Sequence, residues 1–212
     1  VSAVSGLVIL ESSPDSIRVS ICTAYPAVRG VVATATHQLR LHLSPSSTTT
    51  TTPTSKAATS ATVIGGDLTP SDVDISDIID IAATEKQQRG AQFVVREVQS
   101  RLAGHLHRTA VISEAQQAFP GSIPLLPISN NNMAGNGSGI KVFLGKGVEV
   151  EVRFGRSWPI AEGGDELVVS KVTGGNGDDM MKKMKEGGQV PHGASMVEAV
   201  EMVKREVMTM MT

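Results

Sequence analysis

Residues Ser44–Thr62 read SPSSTTTTTPTSKAATSAT, and this tract constrains the chain more than any other segment. Its hydroxyl-bearing side chains build no core, and Pro45 and Pro53 interrupt helix and strand ladder alike. Five successive threonines favour extended backbone, but an isolated ribbon without apolar partners is marginal. The tract therefore reads as a flexible linker. It divides the sequence into an N-terminal extension at 1–43 and a main domain at 63–212.

The N-terminal part supports two readings. From Val1 to the end of the tract, Glu11 and Asp15 are the only acids, against Arg18, Arg29, Arg40 and Lys56. An Arg-containing, Ser-rich, acid-poor start has the composition of a transit peptide, which implies a mitochondrial or plastid destination; otherwise the expected location is cytoplasmic. The competing reading is β structure. Ile17, Val19 and Ile21 alternate with polar residues, as do Leu39, Leu41 and Leu43, which is the pattern of half-buried strands. Val1–Leu10 is apolar without a basic start and reads as the remnant of a signal peptide or as a strand.

Past the tract the signals strengthen. Thr69-Pro70-Ser71-Asp72 predicts a helix start, with Thr69 as cap, Pro70 in the first turn and Asp72 near the positive end of the dipole. That helix is expected to reach Lys86, with Val73, Ile75, Ile78 and Ile81 as its apolar stripe. After Gly90, the residues Ala91, Val94, Val98, Leu102 and Leu106 recur at helical spacing. Pro120, Pro124 and Pro127 make 120–139 irregular, ending in the turn-rich Asn130–Gly139. Ile140–Leu144 and Val148–Phe154 flank Gly145-Lys146-Gly147 as a hairpin with one wet face, and Glu166–Val172 reads as a third strand. Asp178–Glu186 is expected as a short helix. Ser195 and Glu198 match a capping box, followed by Val200, Val203 and Val207. The fold class is α+β: a small antiparallel sheet, from the hairpin near 140–154 plus a strand near 166–172, packed by amphipathic helices, with a flexible N-terminal extension. With aromatic residues at 3%, the core has to be aliphatic.

Several chemistries find no support. A formal net charge of −2 gives no electrostatic basis for nucleic-acid binding. No apolar run reaches the roughly 20 residues of a membrane span. Cys22, as the single cysteine, excludes an intrachain disulfide and a Cys-rich metal site. Asp72, Asp74, Asp77 and Asp80 resemble a calcium loop, but Asp77 stands where that loop needs glycine and Ala83 where it needs glutamate. His105 and His107, two apart on a helix, point in different directions and share no metal. Glu149 and Glu151 share one strand face, the ordinary pattern of a solvated sheet. No nucleophile has a catalytic context, and neither a metal nor a cofactor is expected.

Two functional expectations remain. The first is a non-enzymatic protein-binding or assembly module, acting on a protein partner or as a homo-oligomer, with Met196, Val200, Val203, Val207 and Met211 on a methionine-rich helix as the contact surface. Eight of the nine methionines lie at or beyond Met180, which is why this helix stands out. The alternative is a small-molecule enzyme or ligand-binding domain, with an anion held by the amides of Gly135, Gly137 and Gly139 and by Arg153 and Arg156. Those glycines precede a strand and lack a following Gly-Lys-Ser/Thr, unlike a nucleotide-binding turn.

Overall fold

A computed structural model describes residues 6–26, 31–44, 62–71, 73–84, 90–125, 138–145, 147–155, 167–174, 177, 182, 190 and 194–210. The chain forms two compact units, one within Val1–Tyr25 and Val32–Ala103, the other within Pro26–Val31 and Gly104–Thr212. Each contains a four-stranded antiparallel sheet with strands in sequence order, so the molecule is α+β with two sheets.

In the first unit the sheet comprises β1 (Gly6–Ser12), β2 (Ser16–Pro26), β3 (Val32–Ser44) and β4 (Thr62–Thr69). A serine turn joins β1 to β2: Ser13 donates its N–H to the Ser16 carbonyl at 2.8 Å, and the Ser16 N–H returns to Ser13 Oγ at 3.1 Å. Of the two readings of the N-terminal part, the described residues before the tract adopt the β one, as β1, β2 and β3. The alternation seen in the sequence has its usual cause, since Val19, Ile21, Leu39, Leu41 and Leu43 are all buried in one aliphatic core.

β4 follows the threonine tract and pairs directly with the strand before it, Ser44 opposite Thr62 and Leu41 opposite Gly66. The ends of the tract are therefore neighbours in one sheet. Residues 45–61 themselves lie outside the described residues.

The unit is closed by α1 (Ser76–Thr84) and the first half of α2 (Ala91–Ala118). The helix start expected at Thr69 is displaced, because Thr69 still pairs with Gln38 in the sheet. The Asp74 carboxylate instead accepts the Ser76 N–H at 2.9 Å and starts the helix there. Ile75, Ile78, Ile79 and Ala82 are buried, whereas Ile81, expected in the stripe, is exposed. Gly66 has a packing role: a Cβ there would lie 3.0 Å from both Ile79 Cδ1 and the Arg40 carbonyl. Its absence lets α1 settle on β4. Val94, Val98 and Leu102 of α2 are fully buried, as their spacing requires. His105 and His107 sit inside this helix and not near its end, because it runs on to Ala118.

The second unit holds the later half of α2, β5 (Ile123–Leu125), β6 (Gly139–Gly145), β7 (Val148–Phe154), β8 (Leu167–Thr173) and α3 (Met196–Met210). The hairpin stands where it is expected, and the third strand is Leu167–Thr173, one residue along from the expected Glu166–Val172. Gly145 and Gly147 have φ of 88° and 75°, left-handed backbone that glycine adopts without a Cβ clash. The three-residue β5 falls in the segment expected to be irregular. Pro124 is tolerated there because β5 is the edge of the sheet, with β6 on one side. The capping box forms as expected: Ser195 N–H donates to Glu198 Oε2 at 2.8 Å and Glu198 N–H to Ser195 Oγ at 3.2 Å. Lys182 and Gly177 are the described residues in and beside the short helix expected at 178–186, most of which lies outside them.

Candidate functional site

The anion-site expectation rests on Arg153, Arg156 and three glycines. Gly135, Gly137 and Arg156 lie outside the described residues. Gly139 opens β6 directly opposite Arg153 of β7. A Cβ at Gly139 would fall 2.1 Å from the Val152 carbonyl oxygen and 2.7 Å from the Arg153 Cα. Close approach of the two strands therefore accounts for this glycine without any ligand.

Arg153 has a protein partner: its Nη2 donates to Glu151 Oε2 at 3.0 Å. Glu151 also lies 3.6 Å from Lys141 Nζ, which donates to Glu149 Oε2 at 3.2 Å. Thr173 Oγ1 stands 3.5 Å from the same Glu149 oxygen. The side chains of Glu151 and Arg153 are only 12% and 17% exposed, so this is a tight charge ladder across β6 and β7, with the Thr173 hydroxyl of β8 beside it. The hydrogen bond and charge of Glu149, helped by Glu151, hold the Lys141 ammonium above its ordinary pKa. An added anion would have to displace carboxylates already in place. Among the described residues, no group of His, Cys, Asp and Glu is arranged to hold a metal ion.

The helix expected as a contact surface faces inward. Met196, Val200, Val203 and Val207 are between 0% and 1% exposed and pack with Val148, Val150, Val152 and Phe154. They are the core of their unit and not a surface, as an aromatic-poor chain requires. Met211 lies outside the described residues.

The exposed apolar surface is elsewhere. In β1, Leu7, Val8, Ile9 and Leu10 are 48%, 59%, 64% and 48% exposed. β1 is a sheet edge, with β2 on one side only. Leu7 stands opposite Ile21 and Ile9 opposite Val19, so both extend the core face of the sheet past the residues that are covered. Val8 lies opposite Ser20 on the other face. The other edges are blunted as edges usually are. β5 is short and carries Pro124, β8 carries Ser170 and Lys171, and β4 carries Gly65, Gly66 and Asp67. The polar device on β1 is Glu11, paired with Arg18 at 2.7 Å beside a register shift between Ile9 and Glu11.

A sequence signal for this edge exists. Alternation marks a strand with one wet face, and an unbroken apolar run marks a strand covered on both. Leu7-Val8-Ile9-Leu10 is such a run. The chain matches no protein-family model, no curated protein and no solved structure at a significant level. Among the described residues, no helix is long and apolar enough to cross a membrane.

Proposed function

We propose that this chain is a non-enzymatic protein-binding or assembly module. The observation that carries the reading is the edge strand β1, which exposes four consecutive aliphatic side chains and, among the described strands, has a neighbour on one side only. Such an edge costs solubility unless another chain uses it. Strand addition is the recognition mode it suits: backbone hydrogen bonds supply affinity, and side chains on alternating faces supply selectivity.

The contact surface in this reading is β1 and not the α3 stripe, whose members are buried. Nor is an organellar leader part of the proposal, because Gly6–Ser44 contributes three strands and much of the first core. The anion-binding alternative is weakened by the hold of Glu151 on Arg153.

The test compares the full chain with Ile9→Lys. Ile9 is exposed, so the variant should keep its circular dichroism spectrum and thermal transition while losing self-association or a partner retained by the wild type. Identical binding by both proteins would remove β1 from the reading.

A further inference from the structure

We infer that the occupant of the β1 edge is β1 of a second copy of this chain, paired antiparallel about a twofold axis so that the two four-stranded sheets join into one. The inference deepens the assembly reading and rests on it.

Three observations favour this occupant. The outer side of β1, which no described strand pairs with, calls for a strand, because a strand edge offers a row of backbone groups and not a pocket. That strand has to be apolar on both faces, since Leu7 and Ile9 are exposed on the face of Val19 and Ile21 while Val8 is exposed on the other. Among the described strands, β1 itself is the one with four consecutive large aliphatic residues.

The patch is also self-complementary, as a twofold contact requires. A twofold axis perpendicular to the sheet and centred on Val8 sets Leu7 of each copy opposite Ile9 of the other. The core face of Val19 and Ile21 then continues across the junction, and the two Val8 side chains meet on the opposite face. Glu11, with its Arg18 partner, falls outside the apolar block in both copies. The seven residues of β1 are far fewer than the roughly 20–30 per side of a standard interface, so the dimer is reversible and concentration-dependent.

The test uses the full chain in analytical ultracentrifugation over a wide concentration range, beside Val8→Lys and Ile9→Lys. A second measurement is oxidative cross-linking of Val8→Cys in a Cys22→Ser background, with Ile64→Cys as the control at an equally exposed position. Facing residues of an antiparallel pair stand about 4.5–5.5 Å apart at Cα, within disulfide range. The expected result is a wild-type monomer–dimer equilibrium, weakened by about tenfold or more in both lysine variants, with cross-linking at Val8 and none at Ile64. Wild-type monomer at every concentration, or a dimer untouched by Val8→Lys and cross-linked equally at Ile64, would overturn the inference. A monomer that binds a foreign protein through β1 overturns the second copy as occupant but leaves the assembly reading standing. A monomer that binds nothing removes both.

Discussion

Gly139 shows how a residue acquires a meaning that its sequence neighbourhood conceals. Within a run of glycines it reads as part of an anion loop, yet its place against the Val152 carbonyl requires the missing Cβ. Gly139→Ala forces β6 away from β7 and is expected to destabilise the second unit by about 1–3 kcal/mol, read from urea denaturation; a change under about 0.5 kcal/mol would mean that the strands are not this close. Asp77 is a second case. Considered in the sequence as part of a calcium-like loop, it accepts hydrogen bonds from Nη1 and Nη2 of Arg101 on α2. The Arg101 hydrogen bonds hold its carboxyl below the ordinary range. A depressed carboxyl pKa contributes stability that is full above the unfolded value near 4 and is lost as pH falls through the folded value. Asp77 is partly exposed, so the contribution is about 1 kcal/mol or less. Asp77→Asn should accordingly flatten the acid limb of the stability curve below about pH 4 and lower the plateau at neutral pH; an unchanged acid limb would contradict the pairing. The capping box of Ser195 and Glu198 was legible because its partners are three residues apart. The Asp77–Arg101 pair was not, because nothing local links residues on two different helices.

At the scale of elements, alternation made β2, β3 and β7 legible, while β6 and β8 were legible as short apolar segments beside β7. β4 was hidden because Gly65, Gly66 and Asp67 break the apolar pattern where Gly66 makes room for α1. The second half of α2 carries only Val111, Ile112 and Ala115 toward a core, too sparse a stripe to announce a helix. The α3 stripe was legible as amphipathic, but periodicity does not say whether an apolar face meets its own sheet or another protein. Packing answered that for Met196, Val200, Val203 and Val207. The strands before the threonine tract supply Val19, Ile21, Leu39, Leu41 and Leu43 to the first core. Leu41→Ala, at a fully buried site, should cost about 2–5 kcal/mol. The same truncation in a disposable leader would leave the thermal transition where it was.

At the scale of the molecule, the threonine tract marks a change in composition that is not a division of the fold. It separates strands that pair with each other, whereas the division between compact units falls at Ala103 and Gly104 inside α2. Composition missed this because low-complexity sequence reports only that a segment adds nothing to a core, not what its two ends do. The β1 edge depends on the same arrangement, since β1 is held as an edge strand by a sheet whose last strand comes from beyond the tract. The most direct measurement divides the chain within the tract. Residues 1–53 and 54–212 are expressed together as separate polypeptides, and the longer one is purified by an affinity tag. Paired strands and a shared core predict that both co-purify in equal amounts, and that 54–212 alone loses the first unit's cooperative transition. Recovery of 54–212 alone, soluble and with the thermal transition of the intact chain, would contradict the account.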